Sequence, residues 1–380
     1  MDIPTKSKFP RARDVAYLDT AAEGLPPEDA AAALAEYFSD KASGSPGRPQ
    51  HYRAEVEAVE AAAGLLGAAP RHVALLSSCS EGLNLLANSI AWRPGDEVLI
   101  DDLEFSSNVV AWLRLRHQGV RVHVIASEDG ILRCESFTSR LSASTRVVSI
   151  SQVSYKTGTQ APFLAELSRA VHQAGAIFCL DATQALGRVP VSLEGVDYLV
   201  ASSYKWLLGV HGLGVVYLSP QLEASLTPGA AGWYSVRNIF TADRFERFTY
   251  KDGAARLLTG MPNFPSIYAL RASLAYLREA GVERIDRALK PLVRRLREGL
   301  AETGLPLLTP PDPQYASGIV SFAHPDAPAI GAALEEEGVI VWAGDGRVRA
   351  SVHLYNDAAD IDRLLGALRR ILDRQGVVRA

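Results

Sequence analysis

Cysteine is scarce in this sequence. Its 380 residues include three, Cys79, Cys134 and Cys179, with no C-x-x-C or C-x-H spacing, so neither a disulfide framework nor a metal site is expected. Cys179, inside an apolar run, reads as a small buried residue. No apolar stretch approaches the roughly 20 residues that span a bilayer, so no membrane partner is expected. The opening MDIPTKSKFPRARDVAYLD lacks the apolar core of a secretory signal, which points to the cytoplasm. Long basic runs are missing and the net charge is −4, which argues against nucleic acid. G-x-G-x-x-G does not follow the first strand, where Ser77 to Gly82 stands instead; that weakens a dinucleotide-dependent dehydrogenase. Lysine is rare, seven residues against thirty-two arginines, so a lysine in an apolar, glycine-rich setting stands out.

What is present is globular: 48% hydrophobic and 22% charged residues leave no room for a largely disordered chain. The length suggests about two domains. Apolar strand candidates at 73–76, 97–100, 120–125, 146–150, 176–180, 196–201 and 213–218 alternate with helical patterns at 81–92, 107–118, 135–142 and 162–174. Such alternation predicts an α/β fold with a mostly parallel, seven-stranded sheet and helices on both faces. The polar loop 42–49, ASGSPGRP, is placed to cover a site. After an irregular, aromatic-rich stretch at 219–264, helices and short strands from 266 onward read as a smaller C-terminal α+β domain.

The stretch 176–209 carries the most chemistry. Asp181 closes one apolar strand and Lys205 follows another, so both face the crevice where open α/β sheets bind ligands. Pyridoxal phosphate needs this pair: an amine for a Schiff base and a carboxylate to keep its ring nitrogen protonated. Lys156, in Ser154-Tyr155-Lys156-Thr157-Gly158, also follows a strand; the tight apolar flanks Trp206-Leu207-Leu208-Gly209 favour Lys205, because desolvation frees an amine to act as a nucleophile. Ser78-Cys79-Ser80 ends a strand and opens a helix, the setting in which backbone N–H groups attract phosphate. Phe105 stands at another strand end, where an aromatic can stack on a flat ring. Near the C-terminus, alternation places Arg347, Arg349 and Ser351 on one strand face. There a guanidinium either clamps a substrate carboxylate or makes a surface salt bridge.

From Tyr17-Leu18-Asp19 to Tyr355-Asn356 the chain resembles the class V aminotransferase family of fold-type-I pyridoxal-phosphate enzymes, which includes cysteine desulfurases, kynureninases and isopenicillin N epimerase-like proteins. The resemblance implies a large cofactor domain at 20–260 and a small domain from 1–19 and 261–380. It also implies roles. Lys205 would hold the cofactor and Asp181 its ring nitrogen; Gln184 would bond the phenolic oxygen. Ser78, Cys79, Ser80, Ser202 and Tyr204 would hold the phosphate, and Arg349 the substrate carboxylate. Glu104-Phe105-Ser106-Ser107-Asn108 replaces the desulfurase Glu-His-His-Ala-Asn and is similar to kynureninases, with Phe105 as the stacking ring. Met261 stands where many members have a Thr that reaches the other subunit's phosphate. At 339–347 desulfurases insert a loop bearing the sulfur-accepting cysteine; here a short turn has none.

These features imply an enzyme acting at Cα of a small amino acid, with Lys205 as general base. The family name favours an aminotransferase; a β-eliminating C–S lyase or an amino-acid epimerase is the alternative, and a catalytically inactive binding protein lies outside the class. The family further implies a homodimer, with the interface expected in 229–264.

Overall fold

The computed structural model describes residues 6–374. Twelve strands run in chain order: β1 Ala16–Tyr17, β2 Val73–Leu76, β3 Glu97–Asp101, β4 Arg121–Ile125, β5 Thr145–Ser151, β6 Ile177–Asp181, β7 Tyr198–Ser202, β8 Gly214–Leu218, β9 Ile319–Ala323, β10 Val339–Ile340, β11 Trp342–Gly344 and β12 Arg347–Ser351. Seven form the main sheet in the order β2-β8-β7-β6-β5-β3-β4. β8 alone runs antiparallel to its neighbours, so β2, β3, β5, β6 and β7 all end on one edge. Their composition explains the arrangement: β2, β3, β7 and β8 are buried at every residue, as strands covered by helices on both faces must be.

Helices follow the sequence pattern closely, with two differences. The 107–118 pattern divides into an α-helix Ser107–Leu113 and a tighter 3-10 turn Arg114–Gln118. The 135–142 pattern yields only Cys134–Thr138. The segment expected to cover a site, 42–49, is instead a compact connection: Ser45–Gly47 forms a 3-10 turn and the next helix, Arg48–Leu66, begins at once.

In the C-terminal part, β11, β12 and β9 form an antiparallel sheet, flanked by the helices Ala327–Glu336 and Ala358–Arg374. The chain start joins it: β1 pairs with β10, and Asp19 bridges to Ser351. The turn between β11 and β12 consists of Asp345 and Gly346, both at positive φ (47° and 70°), as a two-residue hairpin requires. Gly344 pairs directly with Arg347 across it. Among the described residues no helix is long and apolar enough to cross a membrane.

Candidate active site

Five strand ends converge on one cavity. β2 supplies Ser78, Cys79 and Ser80, and β3 supplies Phe105 and Ser107. β5 brings Ser151 and Tyr155, β6 brings Asp181, Thr183 and Gln184, and β7 brings Ser202, Tyr204 and Lys205. All the residues expected around a cofactor therefore line one space. Lys156, the other candidate amine, lies half-buried in the turn after β5 and does not line it.

Lys205 is 7% exposed. Burial, reinforced by the positive charge of Arg349, lowers its pKa to about 8, against the pull of Asp181. Its Nζ lies 5.2 Å from the centre of the Phe105 ring. The backbone behind it is pressed by the chain start: Gly24 N–H donates to Tyr204 O at 2.8 Å. A Cβ at residue 24 would fall 1.9 Å from Lys205 O, so only glycine fits there.

Asp181 forms the floor. Its Oδ1 accepts the Thr183 N–H at 2.8 Å, whereas Oδ2 has only the Cys79 thiol at 3.6 Å. Burial pushes the carboxyl up, while the Thr183 hydrogen bonds and Lys205 act the other way. A protonated ring nitrogen at Oδ2 would supply the missing counter-charge. Thr183, which sequence reasoning did not single out, was signalled by Asp-x-Thr, a pattern in which Asp bonds its own backbone two residues on.

The opposite end suits an anion. The helix Cys79–Ser89 begins here, with Ser78 Oγ accepting the Glu81 N–H at 3.0 Å. Glu81 in turn accepts from Ser77 N–H at 2.7 Å, a reciprocal cap that fixes the first turn. Ser80 Oγ meets Ser107 Oγ at 2.8 Å. The Cys79 side chain departs from expectation: its Sγ turns toward Asp181 and Thr183, so at this end it offers only its backbone. Gln184 is held in place, Nε2 donating to Ala21 O at 3.0 Å and Oε1 accepting from Trp206 at 2.6 Å, and it keeps one amide hydrogen for a ligand. Ser202 is buried, and the Tyr204 ring stacks on His211 at 4.6 Å. Helix start, hydroxyls, carboxylate, ring and amine stand in the order that pyridoxal phosphate requires, so the residues present fit that group.

Beside the cavity, against Tyr155, stands the small sheet. Arg347 and Arg349 are each 3% exposed, which removes the surface-salt-bridge reading for both. Arg349 Nη1 donates to Tyr155 O at 2.9 Å, and its Nη2 lies 3.7 Å from Asp19 Oδ1. Burial brings Arg349 down to about 10 and raises Asp19 to about 6 against the attraction of Arg349. Phe105, 43% exposed, meets Tyr155 edge-on at 5.1 Å. His353 lies just beyond β12, fully buried, with Nε2 3.0 Å from Trp206 O. Behind Ser151 sit two buried carboxyls that the sequence did not flag, Asp101 and Glu104; burial pushes both up. Cys134 and Cys179 are buried thiols raised by desolvation to about 11 and about 12.

Comparison with known proteins identifies the family. The family model described as aminotransferase class-V matches residues 16–364. A probable cysteine desulfurase of Methanothermobacter thermautotrophicus is 28% identical over 96% of both chains. The apo structure of a cysteine desulfurase from Thermococcus onnurineus superposes with a TM-score of 0.90 at 25% identity, covering 98% of this chain and 99% of that one. The cystine C–S lyase C-DES, solved with its product cysteine persulfide, gives a TM-score of 0.87 at 22% identity, over 95% and 98% of the two chains; a mutant of it carries glycine covalently linked to the pyridoxal phosphate cofactor. The chain therefore belongs to the class-V aminotransferase family of pyridoxal-phosphate enzymes.

Proposed function

We propose that this enzyme cleaves the C–S bond of a cysteine derivative by β-elimination, releasing the sulfur fragment without a protein persulfide. The reading is the alternative of the sequence analysis rather than its first choice, transamination. Relatives named cysteine desulfurase and cystine C–S lyase support it. The observation that carries it is the β11–β12 hairpin. Its two-residue turn, Asp345-Gly346, leaves no room for a cysteine-bearing loop, and all three cysteines are buried.

When bound, pyridoxal phosphate supplies an electron sink for a carbanion at the substrate's Cα. Lys205 would hold it, and the Lys205 amine, its pKa lowered to about 8, is the base placed to take the Cα proton. Asp181 Oδ2 would keep the ring nitrogen protonated. Ser78, Ser80, Ser202 and the helix N-terminus would hold the phosphate. Phe105 would stack on the ring, and Arg349 would orient the α-carboxylate. The proton on Lys205 Nζ then leaves with the sulfur. The balance is RS–CH2–CH(NH3+)–COO− plus water giving RSH, pyruvate and ammonium.

A second copy of the chain is the expected partner. Phe240, Phe245 and Phe248 are exposed at 88%, 84% and 55%, all within the segment expected at the interface. Met261, 48% exposed, shares a surface depression with Ser77 and Glu81, close to the phosphate end.

The test is a product assay on holoenzyme given L-cystine or S-ethyl-L-cysteine. Continuous formation of pyruvate with an equivalent of thiol or persulfide, needing no added keto acid, is expected. Amino transfer to an added keto acid without pyruvate would restore transamination.

A further inference from the structure

Arg347 has no task in the site as described, yet it is placed like a residue that has one. It lies two positions before Arg349 on β12, on the same face, and is 3% exposed. Among the described residues its one ionic neighbour is Asp345 at 3.6 Å, an acid on the hairpin tip that is itself 75% exposed. Its Nε and Nη2 have no hydrogen-bond partner. A buried guanidinium left this way is costly and is retained where a ligand completes it.

The surroundings give that ligand a shape. The Arg347 guanidinium lies 4.5 Å from the Trp342 ring centre and 5.3 Å from that of Tyr155. Aromatic neighbours of this kind hold the fork and leave its in-plane N–H edge for a bidentate acceptor. Tyr155, which lines the cavity, stands between Arg347 and Phe105, so Arg347 lies behind Tyr155, on the strand face it shares with Arg349. Its positive charge is among the influences on Arg349. Two cations thus share this strand face, and Asp19 is the acid beside Arg349.

We infer that Arg347 binds a second acidic group, carried on the sulfur substituent, and so selects cysteine derivatives with an anionic S-substituent. Alternate residues of a strand are roughly 7 Å apart, and a carboxymethyl or cysteinyl group on sulfur gives the two carboxylates a comparable reach. Arg349 takes the α-carboxylate and Arg347 the distal one. The inference rests on the C–S lyase reading for its substrate and on the Arg347 geometry for its selectivity, and these separate experimentally.

The experiment compares S-carboxymethyl-L-cysteine with its uncharged counterpart S-ethyl-L-cysteine on holoenzyme, for the wild type, Arg347→Met and Arg347→Lys. Both kcat/KM and the dissociation constant from visible-spectrum titration are measured. The wild type is expected to favour the carboxymethyl compound at least tenfold, chiefly in KM. Arg347→Met should bring the ratio close to one, with partial recovery in Arg347→Lys. A wild-type ratio near one overturns the inference whether or not the variants fold. So does an equal loss for both compounds in Arg347→Met. If neither compound is cleaved but the titrations keep the preference and Arg347→Met abolishes it, the lyase reading fails and the role of Arg347 stands.

Discussion

The two sides of the cavity are built differently. The cofactor side is made of consecutive residues at strand ends: Ser78 to Ser80, Asp181 to Gln184 and Ser202 to Lys205 each come from one short stretch after one strand. The substrate side is assembled from afar. Arg349 meets Asp19 and Tyr155, and Arg347 meets Trp342 and Tyr155. On the first side the parallel sheet does the positioning, so the chemistry follows from topology. On the second, a separate sheet and the chain start must dock correctly, and specificity can change there without disturbing the cofactor.

That contrast makes predictions. Lys205→Ala breaks the cofactor side most deeply: losing both amine and general base should cost more than about 10³-fold in kcat, on the scale of a removed acid–base group, read by pyruvate release. Arg349→Gln strikes the substrate side. It leaves Asp19 buried without its cation, and kcat/KM should fall by about 2–5 kcal/mol, while the visible cofactor spectrum stays as in the wild type. Asp181→Asn should lower kcat by roughly 10²–10³-fold, the cost of removing one preorganised electrostatic partner, with KM for the amino acid little changed. Pyridoxal phosphate uptake by apoprotein requires the neutral Lys205 amine, whose pKa is lowered to about 8. Stopped-flow rates should therefore rise about tenfold per pH unit below that value and level off above it. Phe105→Ala should weaken cofactor retention by about 0.5–1.5 kcal/mol, the worth of one aromatic contact, seen as a raised cofactor dissociation constant. A larger effect of Phe105→Ala on substrate KM than on the cofactor would blur the division between the two sides.

The same contrast explains what could be read from sequence. Strands buried on both faces are continuous apolar runs, so Ile177–Asp181 and Tyr198–Ser202 declare themselves and their polar followers mark the site. Lys205 was distinguishable from Lys156 because apolar neighbours flank one and turn residues the other. Side-chain direction was not legible: Cys79 turns to Asp181 instead of the phosphate end, and Gln184 is held by Trp206 and Ala21. Nor was long-range pairing. The Asp19–Arg349 contact and the burial of Arg347 depend on how β1, β10 and β12 dock, which periodicity within a segment does not report. The stretch 42–49, read as a long polar loop, contains one tight turn at Ser45–Gly47, a local geometry that composition does not report.

The measurement closest to the central claim is borohydride reduction of the yellow holoenzyme followed by peptide mapping. The pyridoxyl group is predicted on Lys205 within Ser202-Ser203-Tyr204-Lys205-Trp206, with the visible band lost on reduction. A pyridoxyl group on Lys156, or no band after pyridoxal phosphate is added, would contradict the account.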